Sequence, residues 1–469
     1  MILAIDQGTT GTTSLVVDEL LRVRGRGYRE HSQHFPRPGW VEHDPEELLA
    51  GVLAAAEAAL DDAGIRADAL AAVGIANQRE TTILWERSSG RPVAPAIVWQ
   101  DRRTAARCRE LPAELLRERT GLVPDPYFSA TKLEWLLART ELPPEQLAFG
   151  TVDAWLASRL AGDHATDRTN ASRTLLYGLA ADAWDDELLA VFGVPRAVLP
   201  RVVGSAGIVG EATLLGTRIP LAALAGDQQA ALAGHGCFAA GEAKATYGTG
   251  SFVLAHAGAG PPAPPPGLLA TAAAPAGYAL EGAVLTSGAA VQWLRDGLGL
   301  VGAAAETEAL AQSVDSSEGV VFVPALTGLG SPHWEPDTRG VLSGITRGTT
   351  RAHVVRATLE AIALQIADVL DALPLELRAL RADGGASANG FLMQFQADLL
   401  GLPVEVAGER ETTALGAAVL AGLALGSWSD ADVRGLLGAG TVYEPAMSRD
   451  EAETLRASWR VAVRRALVQ

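Results

Sequence analysis

Two stretches of this chain, one at its start and one near its midpoint, share a pattern of apolar strand, Gly/Thr turn and second strand. The first reads LAIDQGTTGTTSLVV (residues 3–17) and the second AKATYGTGSFVLAHAG (residues 243–258). They are either unrelated hairpins or two copies of one unit. The chain has 469 residues, whereas single hydrophobic cores stop growing at about 250–300 residues. The sequence therefore predicts two large domains, the second starting near the second hairpin.

Strand and helix signals alternate along the chain. Asp44 as N-cap, Pro45 at the first helical position, Glu47 in a capping box and Gly64 as the stop predict a helix. AAVGIA and AIVWQDRR indicate strands, RALRADGGASANGFLMQFQADLLG indicates strand, loop and helix, and residues 104–199 have a mostly helical pattern. This mixture predicts an α/β fold.

The charge and cysteine content exclude several classes of protein. A formal net charge of −17 argues against broad binding of nucleic acid or of anionic membranes. The two cysteines, Cys108 and Cys237, suggest no disulfide framework, and no basic region of a signal peptide precedes Asp6. The most apolar run, Ala414 to Gly426, is too short to span a bilayer. We expect a cytoplasmic protein.

Three glycine-rich loops join predicted regular elements: DQGTTGTT (6–13), YGTGS (247–251) and DGGASANG (383–390). The backbone N–H groups of such loops can approach phosphate oxygens closely, and threonine hydroxyls add donors. Any one of them could be an ordinary turn, but three in two halves of an acidic chain favour a bound nucleotide. None has the spacing of a P-loop or of a dinucleotide fingerprint.

Two groups of polar residues stand at the ends of predicted elements. Arg79 and Glu80 follow an apolar strand; they could form a surface ion pair, or face one ligand if the strand ends there. Asp227, Gln228 and Gln229 begin a helix of small residues. An acid at a helix N-terminus is stabilised by the free N–H groups, and it could also be a general base presented into a cleft.

The chain resembles the FGGY carbohydrate kinases in motifs that keep the same order and spacing over nearly its whole length. NQRETT, DPYFSATK and AGDQQAAL are similar to the branch of the family that acts on glycerol rather than on sugars. The other motifs are DQGTT, AIVWQDRRT, TNASRT, TYGTG, ALEGAV, QWLRD, TGLGSPHW, RGVLSGITRGT, DGGASANGFLMQFQADLLG and TALGAAVLAGLA.

This resemblance implies two actin-like (ribonuclease H-like) domains with the active site in the cleft between them. Residues 1–237 would bind the polyol and carry the catalytic base, and residues 238–469 would bind the nucleotide. The implied reaction is ATP-dependent phosphorylation of glycerol to sn-glycerol 3-phosphate, the first step of glycerol catabolism, with ATP and Mg²⁺ as cofactors. The implied assembly is a homo-oligomer, a dimer or a tetramer, without nucleic acid or a membrane span.

The resemblance also implies a role for individual residues. Asp227 would accept the proton of the attacking hydroxyl, and Asp6 would lie near the magnesium ion, through water. The polyol-binding positions are Arg79, Glu80, Trp99, Tyr127, Asp227, Gln228 and Phe252. The nucleotide-binding positions are Thr9, Thr10, Gly11, Thr13, Thr249, Gly288, Gln292, Gly385 and Asn389.

One departure from the family pattern concerns the nucleotide. Thr13 stands where an arginine usually faces the phosphates. A kinase of the same fold acting on another polyol or a ketose is the main alternative. A catalytically weak relative that binds polyol and nucleotide as a regulator is a further alternative, and Thr13 is the feature that favours it.

Overall fold

Each half of the chain builds one large mixed β-sheet with helices packed against it, and small two-stranded sheets accompany it in both halves. The computed structural model describes residues 1–438 and 440–468. Strands of the first half are β1 (Ile2–Gln7), β2 (Gly11–Val17), β3 (Val23–Glu30), β4 (Glu42–His43), β5 (Ala72–Asn77), β6 (Ile83–Glu86), β7 (Ala96–Ile97), β8 (Leu147–Gly150), β9 (Ala165–Asp167), β10 (Tyr177–Gly178), β11 (Ala183–Trp184), β12 (Arg201–Val203), β13 (Ala206–Leu214) and β14 (Thr217–Gly226). Its helices are α1 (Pro45–Ala63), α2 (Ala105–Cys108), α3 (Ala113–Thr120), α4 (Ser129–Leu137), α5 (Val152–Ala161), α6 (Arg168–Ala171), α7 (Asp186–Phe192) and α8 (Asp227–Gly234).

The second half follows directly. Its strands are β15 (Ala243–Tyr247), β16 (Ser251–Gly258), β17 (Leu269–Ala272), β18 (Tyr278–Val284), β19 (Val321–Val323), β20 (Val341–Ser343), β21 (Leu380–Asp383), β22 (Val404–Val406) and β23 (Thr441–Tyr443). Its helices are α9 (Gly288–Asp296), α10 (Glu306–Gln312), α11 (Arg351–Asp371), α12 (Gly390–Leu400), α13 (Thr412–Ala424), α14 (Asp430–Leu436) and α15 (Arg449–Leu467). Single 3₁₀ turns span Ala67–Ala69, Pro144–Gln146, Arg196–Val198 and Gly385–Ala388.

The two sheets have matching topologies. The first has the order β13-β14-β5-β1-β2-β3, with β1, β5 and β14 parallel and the hairpin β1-β2-β3 antiparallel. The second has the order β17-β18-β16-β15-β21-β22-β23, with β15, β21 and β22 parallel and β15-β16-β18 antiparallel. The two Gly/Thr hairpins therefore occupy equivalent places. The prediction of two α/β domains is confirmed. Of the two alternatives left open for the hairpins, the topology favours two copies of one unit.

Helix α1 shows how local signals set an element. It begins after Asp44, whose side chain accepts a hydrogen bond from the Glu46 N–H, and it ends at Gly64 in the left-handed conformation. The predicted capping box is wrong. The Glu47 carboxylate instead accepts hydrogen bonds from the backbone and hydroxyl of Ser32, because β3 leads the chain past the start of the helix.

Helix α13 comes from the second half but packs on the first sheet and on α8. A Cβ at Gly416 would lie 1.8 Å from the Ala230 carbonyl oxygen, and a Cβ at Gly234 would lie 2.1 Å from the Thr412 carbonyl oxygen. The two helices therefore approach each other at backbone distance. Alanines fill the remaining interface, including Ala414, Ala417 and Ala418. This contact fixes α8, the helix that begins at Asp227.

Candidate active site

Four of the predicted polyol residues, Arg79, Glu80, Asp227 and Gln228, lie at the edge of the first sheet where its parallel strands end. The register aligns Gln7 of β1 with Asn77 of β5, and Asn77 with Gly226 of β14. Arg79 and Glu80 follow the end of β5, and Asp227 follows the end of β14. Ligands of open α/β sheets bind at such carboxyl ends, so the topology brings residues distant in sequence to one place.

Asp227 is the first residue of α8, and its side chain is partly exposed. Its side chain is 28% exposed, and Oδ1 lies 3.3 Å from Nε of Arg79. Oδ1 also accepts the Gln228 N–H at 2.7 Å. The N-cap is Gly226. The carboxylate is thus held by the helix terminus while it stays partly accessible.

Arg79 and Glu80 lie on a tight turn. Glu80 has a φ of +62°, and the Thr81 N–H donates to the Arg79 carbonyl oxygen at 2.7 Å. A left-handed glutamate costs conformational energy, and such strain concentrates at functional sites. The turn buries both side chains, which are 2% and 1% exposed. The alternative of a surface ion pair is wrong, because these charges lie inside the protein.

Glu80 presents one free oxygen. Its Oε1 accepts a hydrogen bond from Nε of Arg173 at 2.6 Å, whereas Oε2 is buried and has no hydrogen-bond partner among the described residues. A buried acceptor without a donor is costly. This oxygen is therefore suited to receive a hydroxyl group of a ligand.

Aromatic side chains form one wall of this site. Trp99 and Tyr127 meet edge to face with ring centroids 5.6 Å apart, and the Trp99 indole donates to the Thr9 hydroxyl at 2.9 Å. The Tyr127 hydroxyl accepts a hydrogen bond from Nη2 of Arg79 at 3.4 Å. Such a surface can cover the C–H faces of a polyol while the phenol and guanidinium contact its oxygens.

The second sheet turns a polar face toward α8. Its register places Lys244, Thr246, Phe252, Glu281 and Asp383 on that face. The Lys244 ammonium donates to Oε1 of Gln228 and, at 2.7 Å, to the Thr246 hydroxyl. Phe252 is half-buried and packs beside the hydrophobic cluster that includes Leu232 of α8. The second domain therefore contacts the helix of Asp227 directly.

The predicted nucleotide residues come from the first hairpin and from the loops and helices of the second domain. In the first hairpin, Thr9 is half-buried, Thr10 is exposed, Gly11 is buried and Thr13 is half-buried. Thr13 pairs with Asp6 across β1 and β2.

In the second domain, the loops that follow β15 and β18 come together. The Gly288 N–H donates to the Gly248 carbonyl oxygen at 2.9 Å, and the Ser287 N–H donates to the Thr249 carbonyl oxygen at 3.0 Å. Gly384, beside Gly385, has a φ of +86°, and a Cβ there would lie 2.6 Å from the Tyr247 carbonyl oxygen. These glycines allow the close approach of the loops.

Two predicted nucleotide residues lie on helices of the second domain rather than in its glycine-rich loops. Gln292 is exposed on α9. Asn389 caps α12, since its side chain accepts the Leu392 N–H at 3.0 Å and donates to Thr307 at 3.1 Å. One hydrogen of this amide nitrogen is used within the protein, and the nitrogen has a second hydrogen to donate.

Asp6 carries a buried carboxyl group with other carboxylates nearby. Burial raises its pKa, and the nearby carboxylates of Asp227 and Glu411 raise it further. Its Oδ1 is buried without a hydrogen-bond partner in residues 1–438 and 440–468. An Mg²⁺ ion with bound waters would supply the positive charge and donors that this oxygen lacks. Within the described residues, no group of three or more His, Cys, Asp and Glu is arranged to hold a metal, so phosphate oxygens and water would have to complete the coordination.

Sequence reasoning missed several residues of this site. Arg173 and Glu281 complete a buried charge cluster with Arg79 and Glu80. Lys244 contacts Gln228, and Gln229 joins Arg79 Nη1 at 3.3 Å to the Thr271 hydroxyl at 3.1 Å. A glutamate inside the apolar strand YALEGAV was the one signal available for Glu281, because a charge at a buried strand position needs a partner.

Duplicated sheets with polar residues at the carboxyl ends of their parallel strands define a two-domain protein of the actin-like class. Residues 1–234 match the family model of the FGGY family of carbohydrate kinases, N-terminal domain, and residues 243–425 match the C-terminal domain. The chain belongs to the FGGY family of carbohydrate kinases.

Full-length relatives agree with this assignment. The chain is 53% identical to glycerol kinase of Aromatoleum aromaticum, over 99% of this chain and 98% of the relative. It is 49% identical to glycerol kinase 2 of Thermotoga maritima, over 99% and 98%. The crystal structure of Plasmodium falciparum glycerol kinase with ADP superposes with a TM-score of 0.93 at 34% identity, covering 100% of this chain and 98% of that one. No helix in the described parts of the chain has the length and apolar character needed to cross a membrane.

Proposed function

We propose that this protein transfers the γ-phosphoryl group of ATP to glycerol and releases sn-glycerol 3-phosphate and ADP, the first step of glycerol catabolism. The observation that carries the proposal is the meeting of Asp227, Arg79, Glu80 and Tyr127 at one edge of the first sheet. Identity of 49–53% to glycerol kinases over nearly the full length supports it.

Glycerol would be held by complementary polar groups and an apolar wall. The free Oε2 of Glu80 would accept a hydroxyl hydrogen, and Arg79 and Gln228 would donate to hydroxyl oxygens. Trp99, Tyr127 and Phe252 would cover the carbon chain. A triol that satisfies this set removes the cost of the buried unpaired carboxylate oxygen, which favours a hydroxylated substrate over an apolar one.

Asp227 would act as the general base. The terminal hydroxyl oxygen of glycerol forms a bond to the γ-phosphorus while the bond to the β–γ bridging oxygen breaks and ADP leaves. The hydroxyl proton passes to the Asp227 carboxylate, which the end of α8 and Arg79 hold in place. Positioning and charge stabilisation carry most of the catalysis in phosphoryl transfer.

ATP would be bound by the glycine-rich loops of both halves, through the predicted residues Thr9, Thr10, Gly11, Thr13, Thr249, Gly288, Gln292, Gly385 and Asn389. Asp6 would hold Mg²⁺ through water. The bound ion would neutralise part of the negative charge of the ATP phosphates. Residues 1–237 would bind the polyol and carry the catalytic base, and residues 238–469 would bind the nucleotide. Helix α13 of the second half would support α8 by packing against it.

Cellular setting and assembly belong to the same proposal. The enzyme would work in the cytoplasm as a homo-oligomer, a dimer or a tetramer. The relatives support the substrates and not the assembly. Light scattering coupled to size exclusion chromatography measures the oligomeric state, and an enzyme that elutes as a monomer at all concentrations would contradict this part.

The substrate is tested by a coupled ADP-release assay over glycerol, dihydroxyacetone, glyceraldehyde, erythritol and xylulose. We expect the highest kcat/KM with glycerol. A higher kcat/KM with another acceptor would identify a kinase for that compound. Binding of glycerol and ATP without turnover would identify a regulator instead.

A further inference from the structure

A buried cluster of four charged side chains joins the two domains beneath the proposed glycerol site. Arg79, Glu80 and Arg173 come from the first half, and Glu281 comes from β18 of the second sheet. Their side chains are between 0% and 2% exposed. Arg79 donates to Glu281 through Nη1 at 2.6 Å and Nη2 at 3.0 Å. This bidentate contact fixes the plane of the Arg79 guanidinium.

The cluster is balanced, with two guanidiniums and two carboxylates. Burial would raise the pKa of Glu281, but Arg173 and Arg79 outweigh it and lower that pKa to about 2. Arg173 lies 3.1 Å from Glu281 and 2.6 Å from Glu80. Each carboxylate is therefore held by an arginine, and neither charge is stable in this place without the other members.

The contact with Glu281 decides which part of Arg79 is left for a ligand. Both terminal nitrogens face Glu281, Tyr127 or Gln229. The Nε edge is thereby turned toward Asp227, 3.3 Å away. A guanidinium without this anchor could rotate about its side-chain torsions and would lose that orientation. Glu281 thus acts on the site through Arg79, from the opposite domain.

Glu281 lies on a strand that leads to one of the predicted nucleotide loops. Glu281 lies opposite Leu254 in the second sheet, on the face that carries Phe252. Its strand, β18, ends at Val284 and leads to Gly288 at the start of α9. One strand therefore connects the anchor of Arg79 with a predicted nucleotide loop.

Resting on the proposed function, we propose that Glu281 is a positioning residue for glycerol, which orients Arg79 and makes the polyol site depend on contact with the second domain. The residue does not touch the substrate. Its loss should weaken the use of the acceptor selectively, whereas loss of an ordinary buried ion pair should lower stability alone.

The test is Glu281→Gln, which keeps the shape and removes the charge. We expect the KM for the acceptor to rise about tenfold or more, because Arg79 loses the contact that orients its guanidinium, with the KM for ATP within about twofold. Glu360→Gln is the matched control, because Glu360 is also buried and binds Arg356 at 2.8 Å on α11. It should lower the melting temperature and leave both KM values unchanged.

The assay uses whichever acceptor the wild type phosphorylates, so a failure of the glycerol proposal shows in the wild type and stays separate from this test. Should Glu281→Gln not fold, Glu281→Asp keeps the charge on a shorter side chain and should show a smaller but still acceptor-selective rise in KM. An unchanged acceptor KM, or parallel rises in both KM values, would overturn the positioning role.

Discussion

Asp227 shows at the scale of one residue how a single carboxylate serves both structure and chemistry. It stands in the first turn of α8, where the helix terminus stabilises its charge, and it remains 28% exposed beside Arg79. We predict that Asp227→Asn lowers kcat by about 10²–10⁴-fold, the usual contribution of a general base, with the melting temperature little changed. Steady-state kinetics on the purified variant measure this loss.

The control for that variant is Asp44→Asn. Asp44 caps α1, which is far from Asp227 in the sequence. Asparagine caps helices about as well as aspartate. Its kcat should equal that of the wild type. Retention of more than about a tenth of kcat in Asp227→Asn would mean that another group takes the proton.

Thr13 gives a second prediction at this scale. It lies half-buried across from Asp6, in the hairpin expected to bind phosphates. Thr13→Arg adds a positive charge, so we predict nucleotide affinity up to about tenfold tighter, with little change in the KM for glycerol. Isothermal calorimetry with ADP should also show that salt weakens the variant more than the wild type.

Unchanged or weaker ADP affinity in a folded Thr13→Arg protein would contradict this prediction. It would mean that the new guanidinium pairs with Asp6 rather than with phosphate. Asp6 lies directly opposite position 13 in the β1–β2 pair, so its carboxylate can reach a guanidinium there.

The residues of the site were predictable to different degrees. Arg79, Glu80 and Asp227 follow apolar strands in the sequence, so their place at strand ends could be predicted from local pattern. Glu281 and Lys244 sit within strands, and only pairing with distant strands decides which face of the sheet they occupy. That long-range register is absent from any local pattern, which is why both were missed.

At the scale of elements, the contact of α8 with α13 determines how firmly Asp227 is held. We predict that Gly416→Ala lowers the free energy of unfolding by about 3 kcal/mol, at the upper end for overpacked cores. The reason is that its Cβ would lie 1.8 Å from the Ala230 carbonyl oxygen. It should also lower kcat, because α8 must move. Chemical denaturation and kinetics test both effects.

Gly435→Ala is the matched control on α14. A Cβ there has nothing within 4 Å, so alanine should stabilise the helix slightly through its higher propensity. Equal stability of Gly416→Ala and the wild type would contradict the close approach of α8 and α13.

Elements with strong local signals were predicted well. Helix α1 begins and ends where Asp44 and Gly64 indicate, and β5 matches the apolar run AAVGIA. The expectation of mostly helix over residues 104–199 was only partly right, since β8 to β11 interrupt the helices. These short strands form through pairing with partners such as β6 and β12, which helical periodicity does not reveal.

At the scale of the whole molecule, the site draws on both halves of the chain. The loops predicted to bind ATP come from both halves, and most of the residues predicted to bind the polyol come from the first half. Binding of both substrates should therefore draw the domains together and exclude water. We predict a smaller radius of gyration by small-angle X-ray scattering with glycerol and a non-hydrolysable ATP analogue than without them. An identical profile, with binding shown by calorimetry, would argue for a cleft that is already closed.

Phosphoryl transfer from ATP to glycerol can be followed through the labelled product of the reaction. Wild-type protein is incubated with Mg²⁺, glycerol and ATP labelled in the γ-phosphate, and the labelled products are separated and identified. We predict sn-glycerol 3-phosphate as the labelled product, formed in equal amount to ADP. Labelled inorganic phosphate alone, or no label transfer to glycerol at saturating substrates, would contradict it.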